Sequence, residues 1–317
     1  MKRYLIDCLF IFLLTHATIS LSSEWTPIQW IWKKQPNGEV SRLSMLLPAS
    51  LSGSNEVYYF NLDTGSEVSL LFKSNIFLDR ELSEIISHRT RVHLTKKYPD
   101  ATSYGVILDG KILGSSISKA PFLLHDVITG RKSPVIGSVG LSAFSAPVLA
   151  INFIANQAKL TESVNSIESD LPMGIRYQEY TLFAGLPLIS LSTMGRKQGN
   201  FVLDTGFSIA ELAIFNLSSW KTITGRSLDD FRNKKIINYT LGRRLDCVTA
   251  PSLLDIDFGS VRLGKLTTAY CLRDGSPFNE TGLDGLLGNP TFYDKAVLVF
   301  DTHNRKLGIA FDMEPKK

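Results

Sequence analysis

The chain has 317 residues, 44% hydrophobic and 20% charged, with a formal net charge of +4. That is globular composition, sufficient for one large domain or two of moderate size. Lys and Arg are scattered apart from short pairs such as Lys96-Lys97 and Arg243-Arg244, and no basic stripe is interleaved with aromatics, which argues against a nucleic-acid partner.

Lys2 and Arg3 precede an apolar run from Cys8 to Leu14, and small and polar residues follow from Thr15 to Ser23. This order reads as a secretory signal peptide over residues 1–23. The run is too short to span a bilayer, the alternative being an uncleaved helical anchor. A secreted or periplasmic chain with no membrane contact after signal removal is the expectation. Residues 24–165 and 166–317 then form two lobes. Val57 to Leu62, rich in β-branched and aromatic residues, reads as a strand ending at a Thr-Gly turn. Ser74 to Ile86 and Ser227 to Arg232 carry the sparse helical pattern. Glu162 to Gly174 is polar and reads as a linker. Leu186 to Thr193 and Asn200 to Leu203 flank a polar Gly195–Gly199 loop, a hairpin signal. Asp255 to Gly264 reads as a second hairpin around Gly259-Ser260.

The chain is written twice. Phe60-Asn-Leu-Asp63-Thr64-Gly65-Ser66 matches Phe201-Val-Leu-Asp204-Thr205-Gly206-Phe207. Gly137-Ser-Val-Gly140 downstream of the first triplet matches Gly285-Leu-Leu-Gly288 downstream of the second. Phe144 and Phe292 follow, then apolar strands Val148 to Phe153 and Val297 to Phe300, each turning through polar residues into Lys159-Leu160 and Lys306-Leu307. The expected architecture is therefore all-β, with two similar lobes related by a pseudo-two-fold axis.

Such an axis brings the two triplets face to face. Two carboxylates a few ångströms apart cannot both ionise easily, so one proton is shared. One group then acts as base toward a bound water, while the other polarises the scissile carbonyl and protonates the departing amine. Asp63 and Asp204 are the expected catalytic pair. Thr64 and Thr205 sit at the seam, where they can bond across to the opposite lobe, and Gly65 and Gly206 let the backbone turn and pack closely. No cofactor and no metal are called for: no Cys or His cluster has metal-ligand spacing, and no phosphate-cradling glycine loop occurs. His88 and His93 read as surface residues.

At these residues the sequence resembles the pepsin-like, two-lobed aspartic peptidase family, with short lobes similar to bacterial retropepsin-like domains in tandem. The resemblance extends to Gly285-Leu-Leu-Gly288 with Val297 to Asp301, and to Cys247 with Ser252 to Phe258. It implies the acid-protease fold of two β-barrel-like lobes about a cleft, an endopeptidase activity on polypeptide substrates, and a monomer. It places Tyr104-Gly105 on a hairpin flap over the substrate. It also implies a hydroxyl after each triplet: Ser66 supplies one, whereas Phe207 does not, leaving Ser208 as the substitute and the ionised form of Asp204 less favoured. Leu70 stands near a position commonly Trp in that family, and Ser138 where an apolar residue is usual. These departures keep open the alternative of an inactive relative that holds or blocks peptides. Leu70, Leu71, Val106, Ile107 and Phe207 are candidate pocket walls.

About 40 residues separate the signal from Asp63, room for the first strands but not for a long propeptide. After signal removal two cysteines remain, Cys247 and Cys271, which in an exported chain read as one disulfide, the alternative being two buried thiols. Asn216, Asn238 and Asn279 begin glycosylation sequons.

Overall fold

The computed structural model describes residues 24–34, 40–87, 91–93, 104–117, 121–126, 133–171, 174–231, 236–240, 243–272 and 282–311. The signal segment, His88 and the sequon at Asn279 lie outside them. The described chain is all-β, with few and short helices.

Alternation of side chains builds the strands. In Val57–Leu62, Tyr58, Phe60 and Leu62 are buried and the residues between them are not, the period-two signature of a strand with one face on a core. The strand that carries the second triplet, Arg196–Asp204, instead has three successive buried residues, Phe201 to Leu203, just before Asp204, where it enters the middle of its sheet.

Each half folds into a ten-stranded sheet, and the two sheets share one strand order. In the first, the order runs Arg91–His93, Tyr104–Val106, Phe122–His125, Ser69–Phe72, Val135–Val139, Val57–Leu62, Val40–Leu51, Gly110–Ile112, Ser115–Ser116, with Gln29–Lys34 added on Val40–Leu51. In the second it runs Ile236–Thr240, Arg243–Pro251, Thr267–Leu272, Leu212–Ile214, Gly285–Gly288, Arg196–Asp204, Leu186–Thr193, Ile256–Phe258, Val261–Gly264, with Thr181–Phe183 added on Leu186–Thr193. Every position in one list has its counterpart in the other. The strand delivering each Asp lies parallel to the strand of the glycine motif, Phe60 opposite Gly137 and Phe201 opposite Gly285.

A third, six-stranded sheet joins the halves: Thr26–Pro27, Gln157–Thr161, Val148–Asn152, Ala296–Asp301, Lys306–Phe311, Arg176–Glu179. Its central strands are antiparallel and pair Val148 with Asp301, Ala150 with Val299 and Asn152 with Val297. Asn156 and Arg305 occupy matching left-handed turn positions at φ 54° and 53°. Asn152 and Asp301 cap matching backbone amides, those of Ala155 and Asn304. The equivalence therefore maps Ala150 onto Val299, its own partner, and the two-fold axis passes between them. It also corrects the sequence match at this point: Lys159 corresponds to Gly308, not to Lys306.

The segment between the lobes is less extended than a linker. It forms two single turns, Val164–Ser166 and Glu168–Asp170, around a fully buried Ile167 that packs on Val148, Ala150, Val297 and Val299. Asp170 is held by Lys159 Nζ and Trp25 Nε1, each at 3.1 Å.

Other expectations change in detail. The helix expected over Ser74 to Ile86 is two, Lys73–Leu78 and Arg80–Ser87, divided at Asp79, whose carboxylate caps the second by accepting from the Leu82 amide at 3.2 Å. Of Ser227 to Arg232, the described residues form a 3₁₀ turn, Leu228–Phe231, and Arg232 lies outside them. The polar Gly195–Gly199 loop is mostly strand, its turn confined to Met194 and Gly195, both at positive φ. The helix Leu217–Thr224 has no counterpart among the expected elements. Asn216 caps its start and Gly225, at φ 65°, ends it. Cys247 and Cys271 face each other on adjacent strands and are joined by a disulfide.

Candidate active site

Asp63 follows Val57–Leu62 directly and Asp204 ends Arg196–Asp204, so homologous strands carry the two triplets to the seam between the lobes. There the threonines interlock. Thr64 N–H donates to Thr205 Oγ1 and Thr205 N–H to Thr64 Oγ1, both at 3.0 Å. Each hydroxyl then donates onward to the opposite strand, Thr64 to the Leu203 carbonyl at 2.7 Å and Thr205 to the Leu62 carbonyl at 3.0 Å. Both threonines are buried. A ring of four such bonds, dry and fully satisfied, fixes the loops against one another.

This interlock sets each carboxyl against the other lobe's glycine. A methyl at Gly65 would stand 2.4 Å from Asp204 Cγ, and one at Gly206 2.9 Å from Asp63 Cγ. No side chain is compatible with that approach. The glycine motifs have a related cause: a methyl at Gly137 or Gly285 would meet the neighbouring backbone oxygen of Leu70 or Ala213 at 2.0 or 1.9 Å.

The two carboxyls hydrogen-bond to each other, and both are held above the ordinary carboxylate range. Burial is the main cause at each. At Asp63, which is raised well above that range, the charge of Asp204 adds to it, against a single opposing backbone N–H from Gly65. At Asp204 the backbone N–H groups of Gly206, Phe207 and Gly65 favour the ionised form, Gly206 donating at 2.7 Å. Burial and mutual charge therefore oppose ionising both members at once, while the backbone donors gather on Asp204.

Phe207 supplies a backbone donor to Asp204 despite lacking a hydroxyl, and its ring is buried with Ala210, Ala213 and Ala269. Ser66 Oγ donates to the Val68 carbonyl at 2.6 Å, so its proton is directed away from Asp63. Ser208 is half-buried beyond Phe207. Leu71 and Val106, considered as pocket walls, belong to the main core with no exposure, whereas Leu70 and Ile107 are half-buried.

Arg91–His93 and Tyr104–Val106 form a hairpin, His93 opposite Tyr104. Gly105 is bonded on both sides, opposite Val92 and Leu123. Tyr104-Gly105 is thus the described foot of the returning strand, and the chain between the strands, 94–103, lies outside the described residues.

Asn289 was not among the expected residues. Its side-chain amide donates to the Thr205 carbonyl and its backbone N–H to the Phe207 carbonyl at 3.1 Å, supporting the second loop from beneath. A polar residue directly after Gly285-Leu-Leu-Gly288 was the available signal. Among the described residues no group of three or more His, Cys, Asp or Glu could hold a metal ion, and no helix is long and apolar enough to cross a membrane.

No family model matches the sequence, and no curated protein matches it. Among solved structures the chain is similar to the aspartic proteinase from Irpex lacteus, at 15% identity and a TM-score of 0.45, over 85% of this chain and 94% of that one.

Proposed function

We propose that the chain is an exported aspartic endopeptidase in which Asp63 and Asp204 activate a water against a peptide bond. The observation that carries this reading is the mutual approach of the carboxyls, each seated on the opposite glycine, with both raised by burial. Asp204, charged and supported by three backbone amides, takes a proton from the water. Asp63, protonated, donates to the carbonyl oxygen of the scissile bond and so polarises it. After attack the proton gained by Asp204 passes to the departing amine. Thr64, Thr205, Gly65 and Gly206 hold the pair in register. Substrate binds as an extended strand between the lobes, through backbone hydrogen bonds, with Tyr104 on the hairpin beside it. The disulfide fits an oxidising compartment, in keeping with export.

The second reading, an inactive relative that binds peptides, is favoured by the orientation of Ser66, which leaves Asp63 with few donors. One experiment separates the two. The purified chain is incubated with denatured protein from acid to neutral pH, beside Asp63→Asn and Asp204→Asn. Cleavage that either substitution or a statine-type inhibitor abolishes supports the peptidase. Wild type and both variants behaving alike would end it, and tight statine binding without cleavage would favour the second reading.

A further inference from the structure

We propose that Arg42 is a positioning residue for this site, forming with Asp294 a second brace between the lobes that sets how the Asp204 loop faces Asp63. The inference rests on the peptidase reading only for its kinetic consequence.

Arg42 lies on Val40–Leu51 of the first lobe and Asp294 in the second half, just before Ala296–Asp301. The guanidinium grips the carboxylate with both ends, Nη1 to Oδ2 at 3.1 Å and Nη2 to Oδ1 at 2.8 Å. Its centre lies 5.0, 5.5 and 4.9 Å from the ring centroids of Trp30, Trp32 and Tyr293. Two of those rings come from the first lobe and one from the second. The Arg42 side chain is only 13% exposed. A fork and a planar cation between rings cannot be reproduced by lysine.

Both ends of the brace lead to the dyad. Val40–Leu51 pairs with the strand that delivers Asp63, Leu47 opposite Phe60. Asp294 closes the segment that begins at Asn289, which supports Thr205 and Phe207. Within that segment Thr291 Oγ1 donates to the Glu211 carbonyl at 3.0 Å, and just beyond it Lys295 Nζ reaches the Glu211 carboxylate at 3.4 Å. A shift at Arg42 is therefore delivered to both loops through hydrogen-bonded backbone. Arg42 Nε and Tyr293 OH are buried and have no hydrogen-bond partner among the described residues. The Asp294 side chain is 56% exposed, so the pair adds little stability and the arrangement serves alignment.

The test uses Arg42→Lys, Arg42→Gln and Asp294→Asn in the purified chain. Asp294 has φ 58°, a left-handed conformation that Asn adopts readily, so Asp294→Asn removes the charge with the backbone unchanged. Spin labels on Glu84→Cys and Ser218→Cys, exposed helix positions in opposite lobes, report the distance between lobes. The expected result is a broadened distance distribution and a fall in kcat of about 10-fold or more with KM changed less than about 2-fold, Arg42→Lys giving no rescue. An unchanged distribution overturns the proposal whether or not the wild type cleaves protein. So does a broadened one with unchanged kcat. If the wild type does not cleave at all, the peptidase reading fails, while a broadened distribution still supports the brace.

Discussion

The Thr64 and Thr205 hydroxyls each accept the other residue's backbone N–H at 3.0 Å and donate to the strand behind it, so one pair of side chains closes the seam in both directions. Replacing either by Val keeps the shape and removes two bonds, leaving a buried N–H and a buried carbonyl unmatched. Either substitution should cost about 2–4 kcal/mol by chemical denaturation. The double variant removes all four bonds, and its departure from the sum of the single costs measures the coupling within the ring.

The raised carboxyl of Asp63 makes stability depend on pH. A carboxyl raised in the folded chain keeps its proton at pH values where the unfolded chain has lost it. Its contribution is thus fully present below about pH 4 and lost as pH rises through the raised value, at up to about 1.4 kcal/mol per pH unit. Asp63→Asn mimics the protonated form. It should melt higher than wild type at neutral pH and match it in strong acid. Asp204→Asn places an amide among three N–H donors and should bring no such gain. Equal behaviour of the two variants would show that the proton is not lodged on Asp63.

The same shared proton shapes the rate. Both members of the pair are raised, so the singly protonated state extends above the ordinary carboxylate value of about 4. Cleavage should be lost as pH rises through the upper apparent pKa of the pair. A kcat/KM profile from acid to alkaline pH checks this; a plateau through neutral and alkaline pH would be incompatible with a dyad holding one proton.

Gly206→Ala should disable the site with little loss of fold. The added methyl stands 2.9 Å from Asp63 Cγ and 3.1 Å from Asp204 Oδ1, and one carboxyl must move. A displacement of that order should lower kcat about 100-fold, with cooperative melting retained by calorimetry.

The disulfide closes a separation of 24 residues between strands already paired, Cys247 opposite Cys271. Replacing both cysteines by Ala should cost about 3 kcal/mol on the chain-entropy account. The denaturation midpoint checks it, with reductant producing a similar shift in the wild type.

Much of this was legible because it was repeated. Two copies of Phe-x-Leu-Asp-Thr-Gly, each with its downstream glycine motif, mark the strands, the seam and the paired carboxyls without reference to any contact. What escaped has no side-chain signature. The donors that favour the ionised form of Asp204 are backbone amides of Gly206, Phe207 and Gly65, which the side chain of Phe207 does not announce. Ser66 has the right side chain in the right place, but its rotamer turns it to Val68. Leu217–Thr224 is rich in Ser and Thr and escaped because its helicity rests on a buried Trp220 and on its caps, more than on propensity. Arg42 is one arginine among many until the fold brings it to a partner 252 residues away.

The central pairing of the six-stranded sheet has a consequence for ancestry. Because Ala150 faces its own counterpart Val299, and Val148–Asp301 is mirrored by Asn152–Val297, the register is the one two identical chains would adopt. A single-lobe homodimer fused through the Glu162–Gly174 segment would have needed no new hydrogen bond at its centre. If the present molecule retains that logic, residues 24–161 and 174–311 produced as separate chains should reassociate one to one, and sedimentation showing two persistent monomers would argue that the connection itself is required.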